Sequence, residues 1–410
     1  MHIALISEHA SPLRDRNDSA TSGQSVYIAE FAGALTELGH RIDVYTRRDN
    51  STDPDEIVCE AGYRVVNVPA GPSTPLPKSE VLQYTSAFGS ALRDRWSNEK
   101  PDLAHSHYWL SGVAGGLAAR ELSIPTVMTF HSLGTVQYRH RNAESREPNA
   151  DDGLVRRMSF ERQIARAADA IIATSTHEVN ELNRMGVPRS KASVVPCGVD
   201  ARAYSPDGPT APRTSDMKRI VCAGDLTPNH GMDTVIRLLP RIPNAELIIA
   251  GGPDRAALQS DHEVRRLHAL AVELGVAGRV RLTGRLPRPD LAALLRSADV
   301  LVSTPRQESF GISALHAMSC GVPVVATAVG GLSDTVVDGI TGLFVDTRKL
   351  SAVAHTIERL VCDPPRRFAL GVAGADRAQS RYSWDRVAED SARVYATVAG
   401  VASTVGLINR

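Results

Sequence analysis

In Glu308-Ser-Phe-Gly-Ile-Ser-Ala-Leu-His316, an acid, a small-residue turn and a histidine follow an apolar run. Residues 300–304 read as a strand. The turn Ser309-Phe310-Gly311 then opens a helix that ends near residue 319. A helix start presents backbone N–H groups without helical partners, together with the positive end of a dipole, and this suits a phosphate. Glu308 has no helical partner and is left to face solvent or a polar ligand. His316 lies about two turns further along the same side. The spacing alone equally fits an exposed acid that simply favours the helix dipole.

Other segments place polar groups just after strands, where open α/β sheets take their ligands. Ser106-His-Tyr-Trp-Leu-Ser-Gly112 puts Tyr108 at one strand end, and Thr129-Phe-His-Ser-Leu-Gly134 puts His131 and Ser132 at another. Ser22-Gly-Gln-Ser25 opens the first helix, and Gly23 permits a close backbone approach to a phosphate or sugar. Ala223-Gly-Asp-Leu-Thr-Pro-Asn-His-Gly231 offers an acid, Asp225, and a histidine, His230, where a diphosphate prefers Arg or Lys. Lys78, in a proline-rich loop, and Arg157 are basic residues that read either as anion contacts or as solvated surface.

The elements that must position these groups alternate strand and helix. Apolar runs at 2–7, 41–46, 63–69, 101–106, 125–130, 170–174 and 191–196 suit buried parallel strands. Residues 200–218 hold several prolines, a glycine and polar residues and read as a linker. A second series follows at 219–223, 245–250, 280–283, 300–304 and 323–326, with helices such as 258–274 and 290–297 between them. The expectation is two doubly wound α/β domains facing across a cleft, 1–203 and 217–379. A last helix within 380–400 is expected to rejoin the first domain.

At 410 residues the chain is long enough for two cores. Lys+Arg and Asp+Glu balance at 46 each, so no global field draws in nucleic acid. The five cysteines are scattered without a CxxC pair and read as small buried hydrophobes, with no zinc site or disulfide framework. No apolar run reaches the roughly 18 residues of a membrane span, and the chain opens on a strand instead of a leader. A cytoplasmic protein without an integral membrane segment is expected, and a homodimer is left open.

Taken in order, these motifs resemble the retaining family 4 glycosyltransferases of GT-B fold. They are similar in particular to inositol-phosphate glycosyltransferases of mycothiol synthesis and to sucrose-phosphate synthases. The resemblance also rests on Leu76-Pro-Lys78 and Val194-Val-Pro-Cys-Gly-Val-Asp200. It implies transfer of a sugar from a nucleotide-sugar to a polyol or sugar phosphate, with no cofactor and no metal. It gives Glu308 and His131 roles at the sugar. The donor would be held by Gly23, Phe310, Gly311 and Ile312, with Arg285 and Leu286 against its base. The acceptor and its phosphate would be held by Lys78, Tyr108, Ser132 and Arg157.

The donor half departs from the family pattern. Gly-Arg-Leu-x3-Lys-Gly reads Gly224-Asp225-Leu226-x3-His230-Gly231 here, and His316 stands for a second Glu. Each lost charge-assisted contact costs on the order of 1.5–3 kcal/mol. A protonated His230 would restore part of the clamp, and Asp225 would orient an imidazole or a donor amine. Two readings follow. One is an active transferase with an altered donor. The other is a degenerate homologue that binds a ligand or partner without transfer.

Overall fold

The computed structural model describes residues 1–13, 23–144 and 152–400. Within it the chain forms two compact units, each built on its own sheet. The first sheet contains β1 (His2–Ile6), β2 (Arg41–Arg47), β3 (Glu56–Val58), β4 (Arg64–Val68), β5 (Leu103–His107), β6 (Thr126–Thr129), β7 (Ala170–Ala173) and β8 (Ala192–Val194). Its order is β3-β4-β2-β1-β5-β6-β7-β8, parallel except for the edge pair β3–β4. The second contains β9 (Lys218–Ala223), β10 (Ala245–Ala250), β11 (Val280–Gly284), β12 (Val300–Ser303), β13 (Val324–Ala326) and β14 (Gly342–Phe344). It is ordered β11-β10-β9-β12-β13-β14.

The apolar runs are continuous because helices cover both faces of each sheet, and successive strand residues point to opposite faces. In the second unit Ile220, Cys222, Leu247, Ile249, Val300 and Val302 enter one core. Their neighbours Val221, Ile248 and Leu301 enter the other, with Leu315 and Met318. In the first unit one core cluster gathers Ile6, Tyr45, Phe88 and Trp96, and another gathers Leu110, Met128, Phe130 and Leu182.

Two edge strands, β3 and β14, were not legible in the sequence. Each is only three residues long. The expected helix 258–274 is a short 3-10 turn, Arg255–Ala257, followed by the helix His262–Glu273, whose first turn is capped by Asp261. Three cysteines are buried as expected, but Cys59 is half-buried and Cys362 is exposed.

The chain passes between units after Pro196 and again after Ser383. Residues 197–203, attached to the first domain in the sequence reading, are held by groups of the second unit. Val199 N–H donates to the Tyr382 carbonyl, and Asp200 pairs with Arg288 at 2.8 Å. The proline-rich stretch beyond is tied down too, since Arg296 donates to the Pro209 carbonyl and Arg219 to that of Pro212. The helix Trp384–Val398 belongs to the first unit and buries Val387, Ala388, Ser391 and Tyr395.

Candidate functional site

In the first unit the loops after β1, β5 and β6 carry the polar groups. Tyr108 continues the β5–β6 ladder by donating its N–H to the Thr129 carbonyl at 2.8 Å. It does so at φ 74°, ψ 153°, a region that side chains normally avoid. His131 also has a positive φ, 60°. Backbone strain at two neighbouring strand ends marks them as places where side-chain direction has been fixed at a cost of order 1–3 kcal/mol each.

The Tyr108 ring gathers charge. Lys78 Nζ and the Arg157 guanidinium carbon each lie 5.1 Å from its centroid, and the His9 ring lies 4.7 Å away. Arg157 is largely committed to protein groups. Its Nε donates to Glu161 Oε1 at 2.6 Å, Nη1 to Gln137, and Nη2 to both the carbonyl and the hydroxyl of Ser132. Four of its five N–H donors are therefore used, and a buried carboxylate balances its charge. Glu161 also accepts the Gly134 N–H at 2.8 Å. Burial raises the Glu161 pKa, against the pull of Arg157.

Lys78 has no carboxylate partner among the described residues. As a whole the residue is exposed, but its ammonium end lies over the ring. Lost hydration there, with the Arg157 charge, lowers its pKa. Lys78, Tyr108, Ser132 and Arg157 thus meet in one place, with Lys78 the more available cation.

The histidines nearby are neutral. Burial, helped by the Lys78 charge, pulls His131 down to about 3, and burial does the same to His9. His107 is pulled down too, by burial and by the neighbouring histidines. His131 Nε2 and His107 Nδ1 lie 3.0 Å apart with rings stacked at 5.2 Å. Behind them Thr129 Oγ1 donates to the Ile172 carbonyl and so accepts from His105 Nε2 at 2.9 Å. His105 Nδ1 is left to accept from the Tyr395 hydroxyl at 2.6 Å. His9 was not singled out in the sequence. Both its ring nitrogens are buried, with the Gln24 side chain beside them. Its position directly beyond β1 is the signal that could have found it. Gly23 opens the helix Gly23–Glu37 and is exposed. Ser22, quoted with it, lies outside the described residues.

In the second unit the turn after β12 leads into the helix Ile312–Ser319, with Gly311 in the left-handed region at φ 73°. Glu308 is not without a partner, because its Oε1 accepts the Phe310 N–H at 3.2 Å. The carboxylate therefore holds one of the turn's own donors. Gly330 and Gly331 pack directly beneath this turn. A Cβ on Gly330 would lie 1.7 Å from the Glu308 carbonyl oxygen, and one on Gly331 would lie 2.5 Å from that of Ser309.

His316 does not stand free beside Glu308. Its ring stacks on Tyr204 at 3.9 Å and 8°, and burial and the Arg288 charge bring it to about 3. One ring face is thereby occupied. Asp225 is exposed, and the partner of His230 Nδ1 is the Thr227 hydroxyl at 2.8 Å, not Asp225. Arg285 donates its backbone N–H to the Pro253 carbonyl and keeps a buried Nε without a partner among the described residues. Leu286 packs partly against the core beside the helix Arg288–Arg296.

Among the described residues no group of three or more His, Cys, Asp or Glu could hold a metal ion. Among them, too, no helix is long and apolar enough to cross a membrane.

Comparison with known proteins follows the same division. Residues 21–203 match the model of Glycosyltransferase Family 4, and residues 210–377 match that of Glycosyl transferases group 1. The chain is 34% identical over 410 aligned residues to D-inositol 3-phosphate glycosyltransferase of Xylanimonas cellulosilytica, covering 96% of each. Among solved structures it is similar to sucrose-phosphate synthase from Thermosynechococcus elongatus, with a TM-score of 0.84 and 29% identity over 98% of this chain and 99% of that one. The fold is shared with Anabaena HepE, solved in complex with UDP and glucose, at a TM-score of 0.74 and 18% identity over 97% of this chain and 100% of that one. With both units matched and such a relative along its whole length, the chain belongs to the family 4 glycosyltransferases and has their GT-B fold.

Proposed function

We propose that this glycosyltransferase moves a sugar from a nucleotide-sugar to a small phosphorylated polyol or sugar, with retention at the anomeric carbon. The observation that carries the acceptor half is the meeting of Lys78 and Arg157 at the Tyr108 ring, with Lys78 lacking a carboxylate partner among the described residues. A phosphate supplies that partner. The relatives named D-inositol 3-phosphate glycosyltransferase support the same chemistry.

On the donor side, the helix start at Gly311–Ile312 offers N–H groups to the sugar and diphosphate. Glu308 exchanges its bond to Phe310 for the sugar hydroxyls. His131, being neutral, serves as a hydrogen-bonding group at the sugar and not as a cation. The acceptor hydroxyl attacks from the face that the diphosphate leaves, and the diphosphate takes the hydroxyl proton. Such a route depends on stabilising the leaving group more than on a strong protein base. It calls on no metal or cofactor, and the enzyme works in the cytoplasm.

Asp225 and His230 favour a donor other than the family's ordinary one, such as an aminated or deoxy sugar or an unusual nucleotide. The same pair supports the second reading, a homologue that binds without transferring. Purified protein incubated with a panel of nucleotide-sugars and phosphorylated cyclitols or hexoses separates the two. We expect acceptor-dependent release of nucleoside diphosphate, read by mass spectrometry, that vanishes in Glu308→Ala. Nucleotide binding without release from any donor supports the second reading. Neither release nor binding would sink both.

A further inference from the structure

We infer that Arg306 supplies the positive charge that holds the donor diphosphate, in place of any cation on the loop after β9. The inference rests on the donor reading above.

The argument begins with topology. From β9 the chain builds outward to β10 and β11, then returns to lay β12 on the other side of β9. The switch point lies between β9 and β12, and ligands of open α/β sheets bind beyond the strand ends there. The two loops that flank it, 224–231 and 304–311, form one piece of structure. Arg306 donates its backbone N–H to the Asn229 carbonyl at 2.8 Å. Thr304 Oγ1 donates to the Gly231 carbonyl at 3.1 Å. Gly231 approaches so closely that a Cβ there would lie 2.0 Å from the Thr304 carbonyl oxygen.

Charge on these loops is uneven. Residues 224–231 contribute Asp225 and a titratable His230. Residues 304–311 contribute Glu308 and Arg306. Arg306 is thus the only permanent cation on either loop, and it is exposed. Without it two carboxylates would face a diphosphate with only backbone dipoles opposing them. The remaining basic residues at this sheet's strand ends belong to other loops. Arg255 follows β10, Arg285 and Arg288 follow β11, and Arg348 and Lys349 follow β14. At about 4.8 Å per strand, the end of β11 lies roughly 10 Å from β9, which suits a base more than the phosphates. The cation has moved across the switch point from one flanking loop to the other.

Calorimetric titration of the full chain with UDP, ADP, GDP and dTDP tests this. The native protein should bind at least one of them. Arg306→Gln should weaken that binding roughly 10- to 100-fold, and should weaken binding of the parent nucleoside little. Adding Asp225→Arg to Arg306→Gln should recover most of the loss, since the charge is returned across the same crevice. A merely structural role for Arg306 would not be rescued that way. Unchanged affinity in Arg306→Gln overturns the inference and leaves the donor reading standing, and so does a loss that Asp225→Arg fails to repair. Failure of the native protein to bind any of the four overturns the donor reading and this inference together.

Discussion

Glu8, just beyond the carboxyl end of β1, keeps one carboxylate oxygen buried without a partner among the described residues, while the other accepts a long bond, 3.4 Å, from Thr85. Burial raises its pKa from 4.5 to about 8, against Thr85 and Arg47, so it is largely protonated at neutral pH. The sign of the linkage follows. The unfolded chain releases this proton near 4.5 and the folded one only near 8, so the contribution is fully present below 4.5 and is lost as pH rises through 8. The buried histidines run the other way. His9, His105 and His131 fall to about 3, so their contribution is present above 6.5 and is lost as pH falls toward 3. Glu8→Gln isolates the first effect. The stability advantage of this variant over the native chain, read by chemical denaturation, should grow by on the order of 3 kcal/mol between pH 5 and 8 and then level off. A difference that does not change with pH would mean that Glu8 is ionised in the folded state.

Among the elements, the turn after β12 shows how closely backbone sets the site. Gly330 sits at φ 51° with no room for a Cβ beside the Glu308 carbonyl, which accepts the Gly331 N–H at 3.1 Å. Gly330→Ala must displace the turn that aims Glu308, and should cost about 2–4 kcal/mol from steric clash and a left-handed backbone. Gly278→Ala, where a Cβ meets nothing within 4 Å, is the control and should cost little. Urea denaturation of both variants checks the pair, and equal stability would remove the argument. The core strands were legible because burial on both faces leaves a continuous apolar run, as at 247–250. The turn itself was legible as a helix start. What could not be read was contact made at long range. The stacking of Tyr204 on His316, the carboxylate of Glu161 beneath Arg157, and the two glycines under Glu308 all come from segments distant in sequence. Short edges such as β3 were lost because its three residues are largely exposed and lie in no apolar run.

Across the whole molecule the chain returns to its first unit to finish it. The helix Trp384–Val398 packs on Gly23–Glu37, with Trp384 edge-on to Tyr27 at 5.1 Å. Tyr395 is fully buried and donates to His105. Thr129 spends its hydroxyl proton on the Ile172 carbonyl, so His105 donates to Thr129 and accepts from Tyr395, a chain of bonds that reaches the end of β6, one residue from Phe130 and two from His131. Loss of a last-made element should therefore be felt in the first-made sheet. Tyr395→Ala removes a buried ring and leaves His105 Nδ1 without its donor, a change worth about 3–5 kcal/mol. Tyr395→Phe keeps the ring and should cost about 1–2 kcal/mol. Hydrogen exchange resolved by peptide on the full chain distinguishes the units. In Tyr395→Ala, amides of β1, β5 and β6 should lose protection, while those of β9, β10 and β12 should keep theirs, because no residue of the second unit's two cores is touched. Equal loss in both sheets would mean that the units unfold as one, and that the returning helix completes the molecule instead of its first unit.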